Sequence, residues 1–235
     1  MIIGVVVALE EEARALLPRG DLHHEATHYI TSSVGMRLCG MGPEKAAQAA
    51  RALLAEGATA LVSYGVAGAL APGLAPGALL LPERVAFLGS CRGVDVSWRE
   101  RVQQRLAPEV NLAGDLLLTL KEPAATVLDK ARLRRETGAV AVDMESGAVL
   151  AAAAAAGVPG LVLRAIVDSA ETSLPRAALG GLDGQGRPRV AAVIQALLRR
   201  PWELAAVLRL SVNLRAAVHS LRRAWLRLGP EGLAP

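Results

Sequence analysis

Aromatic residues are scarce in this 235-residue chain: one Phe, two Tyr and three Trp make up 3% of it. The core must therefore be built from Ala, Val and Leu. A hydrophobic share of 52% is ample for that and suits close packing of helices on a sheet. Cysteine is limited to Cys39 and Cys91, too few for a disulfide framework and without zinc-site spacing, so a reducing cytoplasm is expected. No apolar run is long enough for a membrane span. The longest, residues 147–163, is broken by Gly157, Pro159 and Gly160 and reads as a buried helix followed by a strand. The opening MIIGVVVALEEE lacks a basic leader and turns acidic after nine residues, so no signal peptide is expected. His24 and His28 have helical spacing, but with His23 beside them in a polar setting they read as surface, and no metal site is expected.

Charge is unevenly spread. Residues 1–175 carry 16 Lys and Arg against 19 Asp and Glu, whereas residues 176–235 carry 10 Arg against 3 acids. The basic character belongs to the tail, which argues against a nucleic-acid groove across the chain.

Short apolar runs alternate with longer helical stretches. Residues 2–8 form an apolar, β-branched run suited to a strand buried on both faces. Residues 10–17 read as a short helix stopped by Pro18. Residues 43–56 begin with proline at a helix start and stop at Gly57. Strands are expected at 60–64 and 78–81, with a turn over 65–77 between them, and a strand–helix–strand unit at 139–142, 145–156 and 160–166. This alternation predicts an α/β fold, a mostly parallel sheet with helices on both faces. Beyond a turn or linker at 180–188 follow a helix at 190–199 and a longer one from 201 to about 228. The latter sets Leu204, Val207, Leu208, Leu214, Val218, Leu221 and Trp225 on one broad face, with arginines mostly elsewhere.

Three segments set acids at the ends of apolar strands, where open α/β sheets place their sites: Glu10 to Glu12, Asp143 with Glu145, and Asp168. Taken singly, acids at a helix start also serve the helix dipole. Three of them, each ending a buried strand, point to a site.

VVVALEEEA, YGVAGALAPGLAPGALLL, AVAVDMESGAVLAAA and LVLRAIVDSA, in this order over residues 1–172, resemble the methylthioadenosine/S-adenosylhomocysteine nucleosidases and their nucleoside phosphorylase relatives. The resemblance implies a single-domain three-layer sandwich with a mixed or mostly parallel sheet over 1–179; the basic helices of the tail read as a C-terminal extension, 180–235, packed on it. It implies cleavage of a purine N-ribosyl bond: Glu12 activates the attacking water, Met144 and Glu145 hold the ribose, Ala67 and Gly68 contact the substrate, and Asp168 protonates the departing base. It implies no cofactor, with phosphate as the conceivable co-substrate, and a homodimer or larger homo-oligomer.

The chemistry agrees. Charge develops positive on the ribose and negative on the base, so a general acid at the base and a carboxylate at the ribose both assist. Asp168 requires a raised pKa, which burial supplies. Glu12 beside the nucleophile favours water over phosphate, because two unit charges about 4 Å apart cost roughly 4 kcal/mol at moderate effective dielectric. The chain departs from the pattern at Val66, Val167 and Ala69, and the loop at 118–125 does not align. Arg84, Arg92 and Lys45 are candidate anion ligands outside any motif.

TLKEPAATVLDKARLRRETGAVAVDMES and the tail from SLPRAALGGLDGQGRPRV to LRRAWLRLG are similar to the hopanoid-associated phosphorylases. That resemblance implies adenosylhopane as substrate; the basic amphipathic helix then either docks a cytoplasmic enzyme on anionic lipid at the inner membrane face or serves as a lid or oligomer-packing element with a solvated arginine face. A methylthioadenosine/S-adenosylhomocysteine nucleosidase, a general purine nucleoside phosphorylase and a non-catalytic nucleoside- or lipid-binding module are the alternatives.

Overall fold

The computed structural model describes residues 2–24, 26–107, 116–179 and 190–235. The turn read at 180–188 lies outside them. β1 (Ile3–Val7) is β-branched and buried throughout, and it runs parallel to both β3 (Val34–Leu38) and β4 (Ala60–Ala69). β10 (Gly160–Asp168) lies parallel to β4 as well, and β5 (Leu79–Leu80) pairs antiparallel with β10. β2 (Thr27–Thr31) forms a hairpin with β3. The short β9 (Ala141–Asp143) joins the far end of β4 antiparallel, and β8 (Leu116–Thr119), β6 (Arg84–Phe87) and β7 (Ser90–Gly93) extend the sheet beyond it. The result is one mixed ten-stranded sheet.

Period-two alternation divides the core between its faces. Val6 and Leu61 face α2 (Pro43–Ala55) and α5 (Ser146–Ala155), whose Ala46, Ala49, Ala50, Ala148, Ala152 and Ala153 let helices approach the sheet closely. Val5, Val7, Val62 and Tyr64 face α1 (Glu10–Leu16), α3 (Val96–Leu106) and α8 (Leu204–Gly232), packing on Leu16, Trp98, Val102, Leu221 and Trp225. The Trp98 indole N–H donates to the Leu233 carbonyl at 2.8 Å, fastening α3 to the end of the last helix. The fold is the expected three-layer α/β sandwich with a long C-terminal helix.

Three differences from the sequence reading have physical causes. The segment from Gly65 read as a turn begins as strand, because β4 continues to Ala69. Gly65 is there for close approach: a Cβ would lie 2.5 Å from both Arg164 Nη1 and Glu12 Oε1. The β2–β3 hairpin, β6 to β8, α3 and α4 (Val127–Thr137) have no counterpart in the reading. α4 buries only Lys130, so it carries no apolar stripe to betray it. Finally, the broad apolar face of the C-terminal helix is divided. Leu221 and Trp225 are buried, while Leu204 and Leu208 are 50% and 58% exposed. α6 (Arg176–Leu179), α7 (Val190–Arg199) and a turn of 3-10 helix (Pro201–Glu203) lead into α8.

Candidate active site

Three strands lead to acids at one cavity of about 310 Å³. β1 runs into α1, where Glu12 is buried. Its Oε2 accepts from the Ala8 and Leu9 N–H groups at 2.9 and 3.0 Å, and Oε1 accepts from Val66 N–H at 2.8 Å. Reaching back to the helix start is what a capping glutamate does, so this side chain both caps and points a carboxylate into the cavity. Burial pushes the Glu12 pKa up, against Arg164 and the three N–H donors.

The end of β9 supplies Asp143, Met144 and Glu145, all lining the cavity. Asp143 accepts from Thr119 Oγ1 at 2.5 Å and from Ser146 N–H at 3.0 Å, and Glu145 accepts from Gly42 N–H at 3.0 Å. Behind them stands Arg164 of β10, 1% exposed. Its Nη2 lies 2.7 Å from Asp143 Oδ2 and 3.6 Å from Glu145 Oε2, and it donates to Ser63 Oγ at 2.8 Å. Burial draws the guanidinium down, but Asp143, Glu145 and Glu12 outweigh it and hold the group above its ordinary pKa. Glu145 is pushed up to about 7, by burial first and by its acidic neighbours, with Arg164 opposing.

Asp168 ends β10. The ladder to β4 shifts by one residue there, from Ile166 opposite Ala67 to Asp168 opposite Gly68, leaving Val167 over as a β-bulge. Gly68 makes room: a Cβ on it would stand 3.1 Å from Asp168 Oδ1. The other oxygen, Oδ2, is hydrogen-bonded by Lys130, whose ammonium also donates to the Ser169 and Thr172 carbonyls at 2.7 and 2.8 Å. Burial raises the Asp168 pKa and Lys130 restrains the rise.

All six residues singled out from the sequence, Glu12, Ala67, Gly68, Met144, Glu145 and Asp168, line this cavity. Arg84, Arg92 and Lys45 do not; they stand on β6, β7 and the first turn of α2, and among the described residues the lining has no lysine or arginine. Arg164 and Lys130 went unread. Arg164 is the one charge within the apolar strand run LVLRAIV, a signal that a buried ion pair is required. Lys130 had no such signal. Pro123 and Ala124, from the loop that would not align, line the cavity too, as do Leu174, Ala178, Leu179, Leu210 and Leu214.

The arrangement has two acidic ends, Glu12 and Asp168, and between them a floor of two carboxylates, Asp143 and Glu145, backed by the one guanidinium of Arg164. A family model described as the phosphorylase superfamily matches residues 2–199. The chain belongs to the phosphorylase superfamily. Membership makes it an enzyme that cleaves N-glycosyl bonds. No curated protein matches the sequence significantly. Among solved structures, this phosphorylase-superfamily chain is similar to futalosine hydrolase of Helicobacter pylori, at 18% identity and TM-score 0.74, with 98% of each chain covered. It is similar to S-adenosylhomocysteine nucleosidase from Streptococcus pyogenes in complex with 5-methylthiotubericidin, at 19% identity and TM-score 0.71, covering 100% of this chain and 98% of that one. The 5′-methylthioadenosine/S-adenosylhomocysteine nucleosidase from Neisseria meningitidis, solved with methylthio-immucillin-A, follows at 16% identity and TM-score 0.72, covering 98% and 99%. These likenesses show a shared fold.

Proposed function

We propose that this enzyme releases adenine from a 5′-substituted adenosine by hydrolysis. The observation that carries the reading is the single cavity in which Glu12, Met144, Glu145 and Asp168 meet with no cation in its lining among the described residues. Asp168, its pKa raised by burial, gives its proton to the purine as the C1′–N bond breaks and the bond's electron pair passes to the base, and the carboxylate left behind pairs with Lys130. Water adds its oxygen to C1′ and loses a proton to Glu12. Glu145 accepts hydrogen bonds from the ribose hydroxyls, and the Met144 side chain packs on the sugar. Each proton transfer of this kind contributes on the order of 10²–10⁴ in rate. A phosphate nucleophile meets Glu12, Asp143 and Glu145, and among the described residues of the lining no lysine or arginine receives it, so charge favours water.

The finer substrate is a nucleoside with a bulky apolar 5′ group, adenosylhopane. What supports it is the cavity's apolar wall, built by Leu174, Ala178, Leu179, Leu210 and Leu214. Among the described residues no helix is long and apolar enough to cross a membrane. The reading includes a cytoplasmic location and a homodimer or larger homo-oligomer, which light scattering measures.

Adenine release is assayed from methylthioadenosine, S-adenosylhomocysteine and adenosylhopane, each with and without phosphate. The expected result is phosphate-independent release, fastest from adenosylhopane. Strict dependence on phosphate sinks the role given to Glu12, and full activity of Asp168→Asn sinks the general acid.

A further inference from the structure

α8 is built with two apolar sides in its first half. Successive helical residues step about 100° around the axis. Leu210 and Leu214 therefore lie nearly opposite Leu208 and Val212, two positions earlier. The first pair lines the cavity. The second pair, with Leu204, forms an outward stripe, and Val212 is 61% exposed. From residue 192 to residue 216, through α7, the 3-10 turn and half of α8, no side chain is buried. Ile194 and Leu198 add a second exposed pair on α7, and Trp202 stands 75% exposed at the bend between the helices.

Such an apolar surface is stable in water only at a cost, and its composition says what covers it. The outward stripe continues at helical spacing into Arg215, His219 and Arg222, all exposed, which line a groove shared with Glu10, Glu11 and Arg14 of α1. Arg199 and Arg209 flank its apolar half and are exposed as well. Glu203, the one acid between residues 190 and 230, is occupied by Ala177 N–H and Arg200. Apolar side chains edged by arginine, with a tryptophan at the bend, match the interface of an anionic lipid bilayer: hydrocarbon below, phosphate at headgroup level. A second copy of the chain fits less well, because a two-fold contact presents the same patch to itself and sets arginine against arginine.

We propose that the α7–α8 segment docks this enzyme on an anionic lipid surface, with Leu198, Trp202, Leu204, Leu208 and Val212 entering the interface and Arg199, Arg209 and Arg215 meeting headgroup phosphates. The helix that touches lipid on one side is then the wall of the cavity on the other. An apolar substrate dissolved in the bilayer has one helix thickness to pass. That last step rests on the reading of an apolar 5′ group; the docking does not.

The test is co-sedimentation of the full chain with phosphatidylcholine vesicles, with and without phosphatidylglycerol. The unmodified protein is expected to pellet with the anionic vesicles and to be released by salt. Leu208→Glu with Val212→Glu lowers binding about tenfold or more, as does Trp202→Ala, which alters only an exposed side chain. Arg209→Gln with Arg215→Gln lowers it about fivefold for each arginine removed. Circular dichroism confirms that each variant keeps its helix content, and light scattering follows assembly. Failure of the unmodified protein to bind either vesicle overturns the proposal, and so does binding that the folded variants retain in full. Loss of self-association in Leu208→Glu with Val212→Glu, with no vesicle binding before or after, assigns the surface to a second copy and overturns it too. Binding is read without turnover, so a chain that docks yet releases no adenine keeps the docking and loses the catalytic reading.

Discussion

Lys130 of α4 and Asp168 of β10 form an ion pair inside the protein, their side chains 1% and 5% exposed. A buried pair of this kind adds little net stability by itself, but removing one partner strands the other charge. Lys130→Met is expected to destabilise the fold by about 3–5 kcal/mol near pH 8. Without the ammonium, burial acts on Asp168 unopposed and its pKa rises further. An acid whose folded pKa is raised is stabilising below its unfolded pKa and loses that contribution as pH rises. The defect should therefore shrink on acidification, read as urea midpoints at pH 5 and pH 8. An equal loss at both pH values removes the electrostatic account.

Glu145 gives a second pH dependence of the same sign. Its carboxyl is raised from 4.5 to about 7. The folded state holds a proton there that the unfolded chain releases above 4.5, so this group's contribution is full below pH 4.5 and lost on passing through about 7. Glu145→Gln should flatten the fall in stability over that window in chemical denaturation. A slope unchanged by the substitution assigns the effect elsewhere.

Gly65 tolerates no side chain. The Cβ of Gly65→Ala would stand 2.5 Å from the Glu12 carboxylate and the Arg164 guanidinium, both buried among backbone. Overpacking of this sort costs about 1–3 kcal/mol. Because Glu12 is one of the groups displaced, adenine release should fall by on the order of 10²-fold while the protein still folds. The check is to compare turnover with thermal midpoint in one preparation; a variant of normal activity would show that the contact relaxes freely.

Tyr64 has the opposite expectation. Its hydroxyl is buried with no hydrogen-bond partner among the described residues. A stranded donor costs roughly 1–3 kcal/mol, so Tyr64→Phe, which deletes the hydroxyl and keeps the ring, should leave the melting temperature equal or higher. A clear drop in scanning calorimetry would reveal a partner, such as a held water.

The legible parts of this molecule were those in which burial and sequence period coincide. Ile3 to Val7, the alanines of α2 and α5, and Leu161 to Ile166 declare a sheet between helices because nearly every residue in them is buried. Glu12, Glu145 and Asp168 were legible because acids ending such strands break the pattern. Lys130 was not, since its partner lies 38 residues away and its helix carries no apolar stripe. Gly65 was read as a turn because glycine signals turns locally, whereas here it answers a crowding that only the folded strand creates. The sides of α8 could not be assigned from spacing, because the helix is apolar on two faces and only packing shows which one the body covers.

The bulge at Val167 makes the end of β10 a joint. Up to Ile166 the strand follows one register with β4, Asp168 resumes the ladder opposite Gly68, and Lys130 holds that end of the strand through a carboxylate and two backbone carbonyls. Strand register and acid placement are thus set by different contacts. Stabilising changes in residues 160–166 other than Arg164, which is committed to Asp143 and Glu145, can accordingly accumulate without re-aiming Asp168.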